Sequence, residues 1–204
     1  MTPKIKICGL SRLCDIDAVN IAKPEYIGFV FAEISRRKIT FKQAEELRKN
    51  LSPDIMPVGV FVNEPIDNII SVVKTGIIDI IQLHGNETEE YIEKIKSALD
   101  NKVIKAVSVI NQGDVQKFKD TCADYLLLDN KSGGTGKNFD WSLIGESEKP
   151  FFLAGGLNLE NIKSAVLQTN PFAADVSSGV ETNGLKDKEK IISIISAVRE
   201  SPPE

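Results

Sequence analysis

The chain has 204 residues, 42% of them hydrophobic and 26% charged, with Lys+Arg 25 against Asp+Glu 29 and a formal net charge of −4. That balance excludes a disordered chain and argues against a protein built to coat nucleic acid. The longest apolar runs, such as Tyr125–Leu128 and Ile77–Ile81 with Asp79 inside it, fall far short of the roughly 20 residues that cross a bilayer, so no membrane partner is expected.

In chain order, strand-like runs occur at Lys4–Cys8, Tyr26–Phe31, Met56–Val62, Ile78–Leu83, Lys102–Val107, Asp124–Asp129, Pro150–Ala154 and Phe172–Val176. Amphipathic helical patterns lie between or after them, for example Phe41–Leu51, Thr88–Leu99 with its acidic first turn, Leu159–Leu167 and Lys188–Arg199. Successive strand starts are 22 to 30 residues apart. That spacing holds a strand, a helix and two short loops, as a parallel crossover requires. Eight such units predict a closed (β/α)8 TIM barrel, read as a single domain over residues 1–204 because no linker-like stretch interrupts the rhythm. An open doubly wound sheet is the main rival, and no Gly-x-Gly-x-x-Gly turn follows the first strand to support it.

A barrel of this kind places its chemistry at the carboxyl ends of its strands. Gly155-Gly156 and Ser177-Ser178-Gly179 fall at the seventh and eighth strand ends, where small residues and exposed amides can cradle a phosphate. The same glycines also suit plain tight turns. Alternation along Lys4–Cys8 turns Ile5 and Ile7 to the helices and Lys4, Lys6 and Cys8 to the barrel axis. Cys8 then reads either as a small core residue or as a thiol facing a ligand. Cys14 and Cys122 are expected to be packing residues. Asp129 ends the sixth strand, where its carboxyl could serve as an acid or cap a turn. Arg36-Arg37-Lys38 is a solvated run or, at a cavity mouth, an anion site; arginine offers a carboxylate two parallel donors. His84, the sole histidine, ends the fourth strand beside Gln82, and either lines the cavity or caps a helix. By the same alternation Lys6 and Asp175 both point inward, which predicts an ion pair across the seam of the first and last strands, since a lone buried ammonium would be costly. The glycines at 133, 134 and 136 suggest a loop that closes over a ligand.

Taken together, Lys6-Ile7-Cys8-Gly9, Gly28-Phe29-Val30-Phe31, Ser35-Arg36-Arg37-Lys38, Val58-Gly59-Val60-Phe61-Val62-Asn63, Gln82-Leu83-His84-Gly85, Gly133-Gly134-Thr135-Gly136-Lys137, Ala154-Gly155-Gly156-Leu157 and Asp175-Val176-Ser177-Ser178-Gly179-Val180-Glu181 resemble the phosphoribosylanthranilate isomerases. The resemblance runs the length of the chain. It implies an Amadori rearrangement in tryptophan biosynthesis with no metal or organic cofactor. It implies Cys8 as general base, Asp129 as general acid, Arg37 as the partner of the anthranilate carboxylate, and Gly155, Gly156, Ser177, Ser178 and Gly179 as the phosphate site. The family usually has tyrosine at Lys38 and often serine at Ala154. A non-catalytic phosphate-binding barrel is the alternative from another class, and it would have no need of an acid and a base.

Three cysteines without metal-type spacing predict reduced thiols rather than disulfides, and charges at Lys4 and Lys6 leave no apolar leader, so a cytoplasmic protein is expected. Monomer and homodimer are both compatible with the sequence.

Overall fold

The computed structural model describes residues 3–130, 140–145 and 147–200. Eight parallel strands close on one another in sequence order: β1 (Lys4–Cys8), β2 (Tyr26–Val30), β3 (Met56–Phe61), β4 (Ile80–Leu83), β5 (Lys102–Ser108), β6 (Tyr125–Asp129), β7 (Phe151–Leu153) and β8 (Ala173–Val176), with β1 paired to β8. The helices are α1 (Leu13–Ala22), α2 (Phe41–Lys49), α3 (Ile66–Lys74), α4 (Glu89–Ala98), α5 (Ile162–Thr169) and α6 (Lys188–Arg199). After β8, β9 (Glu181–Thr182) and β10 (Leu185–Lys186) form a small antiparallel hairpin before α6.

Most strands are a residue or two shorter than the sequence pattern. Larger differences have local causes. The helix expected from Leu159 begins at Ile162, because the Asn158 and Asn161 side chains take the preceding amides: Asn158 N donates to Asn161 Oδ1 and Glu160 N to Asn158 Oδ1, both at 2.9 Å. It stops where Asn170 enters the left-handed region at φ 42°. The one-for-one alternation of strands and helices also needs correction. The β5–β6 connection contains only a short 3-10 turn over Val115–Phe118, and the described part of the β6–β7 connection only one over Trp141–Leu143. The glycines at 133, 134 and 136, and the loop closure expected of them, lie outside the described residues.

Two helix starts carry side-chain caps. Thr40 accepts from Gln43 N while the Gln43 side chain returns to Thr40 N, and Asp187 accepts from Glu189 N and Lys190 N to start α6.

Alternation divides the apolar residues into two sets. Ile5 and Ile7 of β1, with Phe29, Ile81, Leu126, Leu128 and Leu153, belong to the layer between strands and helices. Tyr26, Val58, Ile80, Ile104, Leu127, Phe152 and Ala173 fill the lower barrel, where Tyr26 and Tyr125 meet Phe152 edge-on at 5.4 and 5.6 Å. Cys8, Val30, Ala32 and Val60 form a separate, smaller cluster. Lys6, Gln82 and Asp175 supply a hydrogen-bonded polar group to the barrel interior.

Candidate active site

A cavity of about 1350 Å³ opens at the strand carboxyl ends, lined by Cys8, Arg36, Arg37, Gln82, His84, Asp129, Gly155, Gly156, Asp175, Ser177 and Ser178 among others. Its position follows from strand direction: parallel strands all end at one rim, so residues from distant parts of the chain converge there.

Cys8 is 8% exposed, and its side chain occupies a space that Gly28 leaves open on the neighbouring strand. A Cβ at Gly28 would lie 2.5 Å from Cys8 Sγ and 3.1 Å from Cys8 Cα. Burial pushes the thiol above its ordinary range; the charges of Lys6 and Lys186 pull it down without cancelling that rise, and Asp175 adds to it. Working at neutral pH would favour a lowered thiol, whereas burial in the barrel holds it the other way.

The Lys6–Asp175 pair forms as expected, with Lys6 Nζ 2.9 Å from Asp175 Oδ2 and also 2.8 Å from Gln82 Oε1. Lys6 is fully buried. Burial alone would lower its pKa, but Asp175 and then Cys8 outweigh that, so it stays charged.

Asp129 is 9% exposed at the end of β6. Its Oδ1 accepts Asn130 N–H at 2.7 Å, and its Oδ2 lies 3.6 Å from His84 Nε2. Both His84 and Gln82 line the cavity, their side chains joined by a 2.9 Å contact between Gln82 Nε2 and His84 Nδ1.

Arg37 lines the mouth but is not free. Its Nε and Nη2 meet Glu181 Oε1 and Oε2 at 2.6 and 3.0 Å, and Arg36 reaches the same carboxylate at 2.7 Å. Lys186 completes the group, with Nζ 2.7 Å from Glu181 Oε1 and 2.9 Å from Ser177 O. Desolvation lowers the Lys186 pKa and Glu181 restores only part of it. The β9–β10 hairpin thus anchors Arg37 from outside the barrel, and Lys186 in particular carries no motif by which sequence could single it out. Glu181 stands in the Asp175-to-Glu181 string, where only its proximity to a predicted site marks it. Lys38 of the basic triplet turns to Glu33 instead and does not line the cavity.

At β7 and β8 the predicted anion corner takes shape. Gly155 and Gly156 have φ of 86° and 72°, a backbone that side chains resist, and both face the cavity. Ser177 Oγ donates to Cys8 O at 3.0 Å, tying this corner to β1. Gly179 lies behind the lining rather than in it: a Cβ there would stand 2.0 Å from Leu157 O, so its smallness lets the β7 and β8 loops touch. The expectation that Cys14 and Cys122 are packing residues fails, since both are exposed. Among the described residues no group of three or more His, Cys, Asp and Glu is placed to hold a metal ion, and no helix is long and apolar enough to cross a membrane.

A closed parallel barrel with a thiol, a carboxyl, paired arginines and an amide-lined corner converging on one cavity defines a (β/α)8-barrel enzyme for a small anionic substrate. Comparison narrows the class, because the model of N-(5'-phosphoribosyl)anthranilate isomerase matches residues 5–197 and the chain belongs to that family. It is 51% identical over 201 residues to the isomerase of Endomicrobium trichonymphae, covering 97% of this chain and 98% of that protein. Among solved structures, phosphoribosyl anthranilate isomerase from Thermotoga maritima is 38% identical with a TM-score of 0.88, covering 97% of this chain and 99% of that one. A phosphoribosyl anthranilate isomerase solved in complex with reduced 1-(o-carboxyphenylamino)-1-deoxyribulose 5-phosphate is 36% identical with a TM-score of 0.85, again covering 97% and 99%.

Proposed function

We propose that the chain converts N-(5-phosphoribosyl)anthranilate to 1-(2-carboxyphenylamino)-1-deoxyribulose 5-phosphate in tryptophan biosynthesis, with Asp129 as general acid and Cys8 as general base. The observation that carries the assignment is the convergence of these two groups, from β1 and β6, on one cavity whose β7 and β8 corner is lined by glycines and serines.

Asp129 gives its proton to the furanose ring oxygen as the C1′–O bond breaks, leaving an iminium between C1′ and the anthranilate nitrogen. The Cys8 thiolate takes the C2′ proton, and the electrons of that C–H bond neutralise the iminium to an enolamine. Tautomerisation returns a proton to C1′ and yields the ketone. Acid and base must reach different atoms of the sugar, which suits residues on well-separated strands. Arg37 holds the anthranilate carboxylate, and Gly155, Gly156, Ser177, Ser178 and Gly179 form the phosphate corner, Gly179 by shaping the loops.

Steady-state turnover of phosphoribosylanthranilate tests the reading. Cys8→Ser and Asp129→Asn should each lose roughly 10²–10⁴-fold in kcat. Retention of most activity by both variants sinks it.

A further inference from the structure

A line of polar side chains crosses the barrel from Lys6 to Asp129. Lys6 Nζ donates to Gln82 Oε1 at 2.8 Å, Gln82 Nε2 lies 2.9 Å from His84 Nδ1, and His84 Nε2 lies 3.6 Å from Asp129 Oδ2. The chemistry of each group fixes the direction of the line. A charged ammonium only donates, so the Gln82 atom facing it is the oxygen, and the Gln82 NH2 must face His84. That NH2 also only donates, so His84 Nδ1 accepts. A neutral imidazole then carries its hydrogen on Nε2, the nitrogen turned toward Asp129. Asp175 holds the far end of the line by pairing with Lys6 at 2.9 Å.

We propose that Lys6 and Gln82 fix His84 in its Nε2–H tautomer, making Gln82 and His84 positioning residues that supply a donor to Asp129 as it gives up its proton. The proposal rests on the assignment of Asp129 as the general acid. At 3.6 Å the His84–Asp129 contact is longer than a hydrogen bond, and catalytic contacts of this kind often tighten once substrate is in place. An N–H bonds a carboxylate more strongly than a neutral carboxyl. The interaction therefore grows as the proton leaves, which lowers the barrier rather than merely improving binding. The other tautomer would set the Nε2 lone pair against Asp129, where it would compete with the substrate for the acid's proton.

His84 is the only histidine, so NMR of its ring nitrogens reports the tautomer without assignment ambiguity. In the wild type the hydrogen of the neutral imidazole should sit on Nε2. Gln82→Met should give a mixture of tautomers and lower kcat in proportion to the Nε2–H fraction lost, about 2-fold for equal populations, with KM changing much less. His84→Ala, which removes the donor outright, should lower kcat about 10- to 100-fold, the worth of one hydrogen bond to a charged group. His84→Gln, which can still present an N–H to Asp129, should keep more kcat than His84→Ala. A wild-type hydrogen on Nδ1, or a Gln82→Met protein with unchanged tautomer or unchanged kcat, overturns the proposal. The wild-type spectrum decides the tautomer even if Gln82→Met fails to fold. If Asp129→Asn and Cys8→Ser lose activity while Gln82→Met does not, the positioning line alone falls; if Asp129→Asn stays active, the acid assignment falls first.

Discussion

The role proposed for Cys8 sets two requirements against each other, since a base must be available as thiolate while the barrel interior disfavours charge. Burial wins and lifts the thiol. Because the proposed base acts as a thiolate, kcat/KM should climb as pH rises through the Cys8 pKa and fall below it. A pH profile of turnover checks this, and an activity plateau extending well into the acidic range would contradict the role given to the thiol. Space around the sulfur is equally constrained. Gly28→Ala would push a methyl to 2.5 Å from Sγ with Cys8 backbone close behind, so the thiol must move. A shift of that size should cost on the order of 10²-fold in kcat, given how steeply rate falls with misplacement; steady-state kinetics with a circular dichroism control separates this from unfolding.

Among the elements, the β9–β10 hairpin matters more than its two-residue strands suggest. Glu181 receives Arg37, Arg36 and Lys186 and holds the guanidinium of Arg37 in one orientation. Glu181→Gln should raise KM for phosphoribosylanthranilate on the order of 10-fold, the effect of loosening one charged contact, while leaving Cys8 and Asp129 in place. The opposite rim carries stability instead. Asp124 sits just before β6 and joins Lys96, Lys102 and Val103 N. Burial opposes its charge, yet these hydrogen bonds bring its pKa down from 3.8 to about 2. A lowered acid stabilises the fold above its unfolded pKa and loses that contribution as pH falls through its folded one. Asp124→Asn should therefore cost about 1–2 kcal/mol near neutrality, allowing for partial solvent screening, and this difference from wild type should vanish between about pH 4 and pH 2. Urea denaturation at several pH values measures it, with turnover at neutral pH unchanged.

For the molecule as a whole, barrel closure makes strands from both ends of the chain neighbours: Lys6 of β1 pairs in register with Asp175 of β8. Neither half can close its sheet alone. We propose that the chain unfolds as one unit, so that tryptophan fluorescence, helical circular dichroism and catalytic activity should be lost in one coincident urea transition. Separate transitions for the amino- and carboxyl-terminal halves would refute this.

The sequence by itself determined the barrel, because strand spacing of 22 to 30 residues and alternation within each strand are local properties, and local properties survive in a string. The same alternation was enough to turn Lys6, Cys8 and Asp175 inward and to require a partner for the buried ammonium. The sequence could not show that Lys6 also reaches Gln82, or that Gln82 leads through His84 to Asp129, since these contacts join β1, β4 and β6. Nor could it show Arg37 held by a hairpin some 144 residues away, the α5 start displaced by asparagine side chains, or the exposure of Cys14 and Cys122. Those features depend on which side chains closure brings within hydrogen-bond reach and on how much solvent it removes from each. They are set by distances across the folded barrel, which the order of residues along the chain does not contain.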